Sequence, residues 1–382
     1  MAPDTFTSTD VIPDDAELRT ARRERVLGAM EAADVDILIT GREPNARYVA
    51  GVPRLWINGS RPFGPGCVIE RATGSIHIVS TWDEGVPDDI PHENLHGITF
   101  NRANTLAWLT QVEGAATAKT VATDGLMPST ISLIRTAFPS AELMDGEQLM
   151  AAVRRLKLPQ EIRAIRTSVR IAEHSLAAAE AAFGAGMTGR RLTATFMEAM
   201  ADAGVTTPTT QDVAWITGRD RHWSQASRDT AIAVGDLVAF DAGLLADGYV
   251  GELGRTMAVG GLPPSARKLR QQWDELWDRL IEACRAGAPA TGLLDAYDAS
   301  GAVPPPVPVA RGLGLGNDLP FVTGALRRTA AEQKLEAGMV LALTAYVWEE
   351  GIGGIYGQEP VVITADGPEL LTTTPFRDRK KG

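Results

Sequence analysis

The sequence predicts a two-domain protein in which an α/β domain precedes a larger α+β domain. Helical and strand-like patterns alternate as far as about residue 150, which is typical of an α/β unit. Beyond it, a proline within residues 154–162 interrupts the chain before a long amphipathic helix begins. We therefore expect a flexible N-terminal segment at 1–15, an α/β N-terminal domain at 16–155 and an α+β domain at 156–382.

The N-terminal domain is predicted from short, well-separated elements. Apolar residues recur at helical spacing from 16 to about 33, and residues 36–40 have the composition of a short buried strand. Residues 67–70 and 75–79 are strand-like and flank a Thr-Gly turn, which predicts a hairpin. A further strand-like segment at 120–123 completes the alternating unit.

Composition and charge narrow the class of protein. The net charge of -11 and the pI near 5.1 argue against nucleic-acid or anionic-membrane partners, which need a clustered basic surface. Cys67 and Cys284 lie far apart and the histidines are scattered, so neither a disulfide framework nor a zinc ribbon is predicted. The first residues lack a signal-peptide pattern and no apolar run suffices to cross a membrane. We expect a cytoplasmic protein with a small-molecule substrate.

A pair of apolar strands in the second domain carries the candidate chemistry. Residues 238–245 are apolar except for Asp241, and residues 249–256, after a short polar turn, contain Glu252. Two acids on one buried face repel each other, so a metal ion, a shared proton or a nearby cation must compensate. The alternative is that Glu252 faces solvent at a sheet edge.

The turn between these strands leaves two registers open. A loop at 246–247 pairs Asp241 directly with Glu252, whereas a loop at 247–248 pairs Asp241 with Gly254. Because side chains alternate with a period of two, both registers place the two carboxylates on the same face.

Several short motifs point to one family: Asp241-Ala242-Gly243, Gly248-Tyr249, Arg255-Thr256, the linker at 158–162, and Asn45, Tyr48 and Gly51. They resemble the methionine aminopeptidase, prolidase and creatinase family, and the hairpin is the most specific part. The resemblance spans nearly the whole chain. It implies that the C-terminal domain has the pita-bread fold, an α+β domain with a pseudo-symmetric curved antiparallel sheet.

The resemblance also implies a changed set of metal-ligand positions. Metallopeptidases of this family hold two divalent ions with two Asp, one His and two Glu. The matching positions here are Asp241, Glu252, Arg311, Thr344 and Gln358. Three of them lose a good metal-binding group, and one gains a permanent positive charge. We therefore predict no metal and no cofactor, with Arg311 either neutralising the acids or binding a substrate carboxylate.

A histidine completes the predicted catalytic set. His222 lies about where the family carries a His that assists catalysis, and imidazole titrates near working pH. We predict His222 as the general acid–base, with Asp241 and Glu252 binding or activating substrate or water. The alternative is a surface histidine in the polar run 219–224.

The remaining candidates are assigned to substrate binding: Arg311, Gln358, Thr344, Tyr356, Trp223, Arg54, Arg61 and Asp318. Asp318 falls where the metallopeptidases place a second, substrate-facing His. Trp215, Trp223 and Trp348 lie near the site segments, where an aromatic wall and a buried core are both open.

The resemblance further implies a homodimer. In creatinase relatives the N-terminal domain of one subunit closes the active site of the other. Arg54 and Arg61 lie in the corresponding loop region, and an ordinary exposed loop is the alternative.

The leading hypothesis from sequence is a metal-independent, creatinase-like enzyme that hydrolyses a non-peptide C–N bond of a small polar or zwitterionic substrate. A lyase, isomerase or decarboxylase on the same scaffold is one alternative. A noncatalytic binding module and a divergent metallopeptidase are the others.

Overall fold

The computed structural model describes residues 16–52, 64–80, 83, 85–97, 101–210 and 212–376. These residues divide into two compact units, one ending at Arg154 and one beginning at Arg155. The predicted boundary lies one residue later, and the predicted flexible segment 1–15 lies outside the described residues. Among the described helices, none is long and apolar enough to cross a membrane.

The first unit is a mixed six-stranded sheet with helices. The elements are α1 Ala16–Ala32, β1 Ile37–Thr40, α2 Glu43–Ala50, β2 Cys67–Glu70, β3 Ile76–Val79, β4 Leu95–His96, α3 Arg102–Leu109, β5 Thr120–Thr123, α4 Pro128–Ala137, β6 Glu142–Asp145 and α5 Gly146–Arg155. The strand order is β4-β3-β2-β1-β5-β6, with parallel pairing at β3/β4, β1/β5 and β5/β6. The predicted hairpin is confirmed as the antiparallel pair β2/β3.

Asn45 of the family motif has a structural role in this unit. The buried Asp124, at the end of β5, accepts hydrogen bonds from the Arg42 backbone N–H and from Asn45 Nδ2. Asn45 Oδ1 in turn accepts from Arg154 Nη1 at 2.6 Å. The carboxylate satisfies free N–H groups at the start of α2, so the motif residue fastens that helix to the sheet.

The second unit is an antiparallel sheet covered by helices, as the resemblance implied. The elements are α6 Pro159–Ala182, α7 Gly189–Asp202, β7 Ala214–Ile216, β8 Leu237–Ala246, β9 Tyr249–Ala258, α8 Pro264–Ala283, α9 Gly292–Ser300, β10 Ala310–Gly314, β11 Gly316–Val322, α10 Arg327–Glu332, β12 Val340–Glu349, β13 Gly353–Thr364 and β14 Gly367–Leu370. The strand order is β11-β10-β12-β13-β9-β8-β7, with β14 paired to β13, and each of these pairings is antiparallel.

The helices cover one face of this sheet and leave the other face for polar side chains. Helix α6 lies so close to β9 that a Cβ on Gly251 would come within 2.2 Å of the Ser168 backbone carbon. Trp273 and Trp277 of α8 stack at 5.6 Å and are buried in the core. Glu252, next to Gly251, therefore points away from α6, because neighbours on a strand face opposite sides.

The β8/β9 hairpin adopts the second of the two registers left open by the sequence. Asp241 pairs with Gly254, and Glu252 pairs with Gly243. The turn residues Asp247 and Gly248 have φ angles of 48° and 80°, the left-handed pair that a type I′ turn requires. Glu252 is only 2% exposed, so the alternative of a solvent-facing sheet-edge acid is wrong.

The Arg255 of the family motif is a buried structural cation. Its Nη1 lies 2.9 Å from Oε1 of Glu359, and both side chains are inaccessible to solvent. Glu359 also accepts hydrogen bonds from Thr372 Oγ1 and the Phe376 backbone N–H. The pair thus ties β9 and β13 to the segment that follows β14.

Replacing Arg255 with Met should destabilise the second unit by about 3–5 kcal/mol, because Glu359 is left as an uncompensated buried charge. Urea denaturation followed by circular dichroism measures the loss. Arg190→Met, which removes a solvent-exposed pair with Asp229, is the matched control and should leave the midpoint nearly unchanged. An equally small effect of both substitutions would contradict the structural role of Arg255.

Candidate active site

Five neighbouring strands bring the five predicted ligand positions together on one face of the sheet. Strands β10, β12, β13, β9 and β8 are consecutive in the sheet. Thr344 pairs with Gln358, Gln358 with Gly254, and Gly254 with Asp241. Paired residues point to the same side of a sheet, so Asp241, Gln358 and Thr344 form one row across its face.

Arg311 and Glu252 occupy a second row, which lies two residues along the strands from the first row. Arg311 pairs with Ala342, and Ala342 pairs with Pro360. Continuing the antiparallel register places Pro360 opposite Glu252. Strands β9 and β10 also approach each other directly, since the sheet curves. Arg311 Nη2 consequently reaches Oε2 of Glu252 at 2.5 Å.

Burial and this ion pair determine the charges of the site. Burial raises the pKa of Glu252, and the Arg311 guanidinium opposes that rise. Burial, reinforced by repulsion from Glu252, raises the pKa of Asp241 to about 6, although Arg311 and Tyr356 act in the other direction. Asp241 remains partly exposed, whereas Glu252 is buried. Asp241 is therefore the more accessible of the two carboxyl groups, and its pKa lies near neutral pH.

A hydrogen-bond network links Asp241 to the other polar residues of its row. Tyr356 Oη lies 3.2 Å from Asp241 Oδ1 and 3.1 Å from Gln358 Oε1. Thr344 Oγ1 donates to the same Gln358 oxygen at 3.0 Å. The ring of Tyr356 lies over Gly254, where a Cβ would come within 2.4 Å of it. The absence of a side chain at Gly254 thus allows Tyr356 to reach Asp241.

Two buried polar atoms at this site lack a protein partner among the described residues. They are the acceptor Oε1 of Glu252 and the donor Nε2 of Gln358. Both side chains are at most 2% exposed. Buried polar atoms are ordinarily hydrogen-bonded, so a donor and an acceptor left over at one site are complementary to a ligand that carries both.

Aromatic rings adjoin the polar face. Trp223 contacts Tyr346 at 4.8 Å and Tyr356 at 6.1 Å between ring centroids. Trp215 contacts Tyr356 at 5.9 Å, and Trp348 lies on the same cluster. The three indoles are partly exposed and pack against the buried cluster of Ala239, Tyr346 and Tyr356, so the aromatic wall and the buried core both stay open as interpretations.

The structure places His222 in this aromatic cluster rather than against a carboxylate. Its ring contacts Tyr346 at 5.2 Å and Trp348 at 6.1 Å, and its Nε2 lies 3.2 Å from the Val303 carbonyl oxygen. Among the described contacts, none joins His222 to Asp241 or Glu252. Its predicted acid–base role therefore has no direct contact to support it.

Asp318 lies in a buried ion pair. Its carboxylate contacts Lys157 at 2.8 Å, and both side chains are nearly inaccessible to solvent. The assignment of Asp318 to substrate binding stays a prediction, which this contact does not support. Arg54 and Arg61, and with them the predicted closure of a partner's site, lie outside the described residues.

Sequence reasoning missed Gly254 and Tyr346. Tyr346 lies two residues after Thr344 on β12, so strand alternation already places the two side chains on the same face. Gly254 was unrecognised because its contribution is the space it leaves for the Tyr356 ring, and only the packed structure shows that.

The residues at the five ligand positions do not fit a pair of divalent ions. Glu252 is paired with Arg311, whose positive charge stands where a ligand would be needed. Thr344 and Gln358 are neutral and bonded to each other. Within the described parts of the chain, no group of three His, Cys, Asp or Glu residues is arranged to hold a metal ion. No catalytic step is therefore assigned to a metal.

The fold, with an antiparallel sheet covered by helices in the second unit, is that of a pita-bread protein. The sequence profile of Metallopeptidase family M24 matches residues 163–365, more than half of the 382 residues. The chain belongs to this family.

Relatives of known name extend the match over both units. The Xaa-Pro dipeptidase of Pyrococcus furiosus (strain ATCC 43587 / DSM 3638 / JCM 8422 / Vc1) is 21% identical over 362 residues, which are 92% of this chain and 98% of that protein. YkvY of Bacillus subtilis (strain 168) is 24% identical over 265 residues, 66% of this chain and 70% of that one. The prolidase from Pyrococcus horikoshii OT3 superposes with a TM-score of 0.76 at 18% identity, covering 95% of this chain and 100% of that chain.

These comparisons correct the predicted function. The hypothesis of a metal-independent, creatinase-like enzyme is wrong, because the family is one of metallopeptidases and the matched relatives are named as a dipeptidase and a prolidase. They give no support to a non-peptide substrate either. One part of the predicted function remains: the chain is a homologue of hydrolases that cleave C–N bonds.

Replacing Gly254 with Ala should displace the Tyr356 ring and break its bond to Asp241, at a cost of about 1–3 kcal/mol. Thermal denaturation measures the cost. Gly28→Ala, in the interior of α1 with open space around it, should instead stabilise by about 0.5–1 kcal/mol. A Gly254→Ala protein as stable as the wild type would contradict the close approach of Tyr356.

The raised pKa of Asp241 predicts a pH-dependent stability difference. The folded protein binds this proton more tightly than the unfolded chain, whose Asp titrates near 3.8, so Asp241 loses stabilising influence as pH rises through about 6. Asp241→Asn should therefore gain stability relative to the wild type between pH 4 and about 6 and level off above, in urea titrations at stepped pH.

Asp229→Asn is the control for this titration. The hydrogen bond from Arg190 holds the pKa of Asp229 below its ordinary value of 3.8, so this variant loses relative stability as pH rises only below about 3.8 and should stay level between pH 4 and 6. Parallel curves for both variants would overturn the assignment to Asp241.

Proposed function

We propose that this chain hydrolyses the C–N bond of a small amide substrate of the dipeptide class on the polar face of the second unit. The observation that carries the proposal is the pair of unpartnered buried atoms, Glu252 Oε1 and Gln358 Nε2. A secondary amide supplies one N–H and one carbonyl oxygen, which complement that acceptor and that donor. The tertiary amide of an Xaa-Pro bond supplies the carbonyl oxygen alone. The names of the matched dipeptidase and prolidase relatives support the dipeptide class.

Asp241 is the residue best suited to remove a proton from an attacking water. It is partly exposed, and its pKa of about 6 lies close to the pH at which a general base works efficiently. The hydrogen bond with Tyr356 Oη, 3.2 Å away, holds its carboxylate in one orientation. Asp241 therefore combines access, orientation and a suitable pKa.

Arg311 and Gln358 are placed to stabilise negative charge as it develops on the carbonyl oxygen. Arg311 carries a permanent positive charge and is 18% exposed, and Nε2 of Gln358 is a donor without a protein partner. Donors fixed before the reaction need no reorganisation when the charge develops. Glu252 holds Arg311 in place and offers its second oxygen to the substrate N–H.

The test is release of free amino acids from a panel of dipeptides, including Xaa-Pro dipeptides, measured by mass spectrometry. The assay is run in chelator-treated buffer and again with added Mn²⁺ or Zn²⁺, so that a metal requirement is visible. Asp241→Asn should lower kcat/KM by about 100-fold or more, because the general base is lost.

Asp229→Asn, which removes a carboxylate paired with Arg190 on the surface, is the matched control and should keep the wild-type rate. Release no faster than that of Asp241→Asn under all metal conditions would reject hydrolysis as the function.

A further inference from the structure

The Arg311 guanidinium is held by two side chains at different points of the group. Its Nη2 lies 2.5 Å from Oε2 of Glu252, and its Nε donates to Oδ1 of Asn317 at 3.2 Å. A guanidinium is planar and its N–H donors point in fixed directions. Contacts at both Nε and Nη2 therefore fix the plane of the group and its rotation within that plane.

These two contacts leave one end of the guanidinium for a substrate. Among the described residues, none accepts a hydrogen bond from Arg311 Nη1. The Arg311 side chain is 18% exposed, whereas that of Glu252 is 2% exposed. The orientation of the plane thus determines the direction in which Nη1 can donate to a carbonyl oxygen on this face.

Asn317 shares the site face of the β10/β11 hairpin with Arg311. Asn317 of β11 pairs with Leu313 of β10, and Arg311 lies two residues before Leu313. Because side chains alternate along a strand, all three point to the same side of the sheet. Asn317 and Arg311 are diagonal neighbours across the hairpin, a separation that a long side chain can bridge.

A buried ion pair on the opposite side of β11 fixes the backbone at Asn317. The next residue, Asp318, points the other way and contacts Lys157 Nζ at 2.8 Å. Gly314 leaves room for this pair, since a Cβ there would collide with the Asp318 carboxylate. The Lys157 backbone N–H is itself bonded to the Gly338 carbonyl oxygen at 2.8 Å. The amide of Asn317 is therefore presented from a strand that is anchored from behind.

We propose that Asn317 is a positioning residue, which orients Arg311 for the reaction through the hydrogen bond at Nε. This inference rests on the proposed function, because it deepens the role given there to Arg311. The contact with Glu252 alone leaves the guanidinium free to swing about Nη2, and Asn317 removes that freedom. Because Asn317 is exposed, its hydrogen bond adds little to stability, and its effect is on orientation.

The first experiment follows the Nε–H proton of Arg311 by NMR on the full, nitrogen-labelled chain, with its signal identified by its loss in Arg311→Lys. In the wild type this proton should exchange with water at least about tenfold more slowly than those of exposed arginines, because it is hydrogen-bonded. Asn317→Leu, which has a similar branched shape but no acceptor, should remove the protection. Asn317→Asp, which keeps an oxygen at that position, should retain it. Protection that is the same in all three proteins would overturn the inference.

The second experiment measures kcat and KM for the dipeptides that the wild type hydrolyses. Asn317→Leu should lower kcat about tenfold and change KM by less than about threefold, because a misdirected donor stabilises the transition state less. Asn317→Asp should restore the wild-type kcat. Equal loss of kcat in both variants, or no loss in Asn317→Leu, would contradict the positioning role.

Two controls separate orientation from folding. Asn317→Leu should keep the wild-type midpoint of urea denaturation, since the bond that it removes is exposed. An Asn317→Leu protein that is unfolded under assay conditions would show a structural residue and overturn the inference. Ser132→Ala removes the acceptor of another exposed hydrogen bond, from Arg102 in the first unit, and should keep the wild-type kcat and KM.

The exchange measurement requires no turnover, so the inference and the proposed function fail separately. Protection of Arg311 that depends on Asn317, without hydrolysis of any dipeptide, would reject the function alone. Dipeptide hydrolysis with an Arg311 signal that does not respond to Asn317→Leu would reject the positioning role alone.

Discussion

The ion pair between Arg311 and Glu252 is the interaction on which the polar face depends. Glu252 is 2% exposed and shares its face with Asp241, so two acids would repel each other in a medium that screens poorly. The guanidinium lies 2.5 Å from Glu252 and lowers the pKa values of both carboxyls against the effect of burial. Because the guanidinium is part of the chain, one of the protein's own residues offsets the negative charge on this face.

The backbone of the sheet makes this long-range pair possible. Arg311 and Glu252 are separated by two strands, on which the intervening residues are Ala342 and Pro360. Small side chains there leave room for the guanidinium to extend across the face, and curvature shortens the distance. Gly254 has a comparable role in the other row, where it makes room for Tyr356. The small side chains of Ala342 and Pro360, and the absence of one at Gly254, thus determine where the charged groups lie.

This protein has the fold of its family but different side chains at the family's ligand positions. The fold and the profile match place the chain among the M24 metallopeptidases. The side chains on the family's ligand positions, with Arg311 facing Glu252 and Thr344 bonded to Gln358, form a hydrogen-bonded polar face instead. A scaffold can keep its packing while its site changes, because the core helices and the site residues lie on opposite faces of the sheet.

The sequence by itself determined the two-domain division, the β2/β3 and β8/β9 hairpins, and the shared face of Asp241 and Glu252. These features follow from local periodicity, and each short segment of the sequence contains its own periodic pattern in full. It left the turn register open, and it did not reveal that Asp318 pairs with Lys157. Tertiary structure alone decided those points, together with the position of His222 and the assembly of the aromatic rings. Each depends on contacts between residues distant in the chain, and a strand pattern specifies a face without specifying what packs against it.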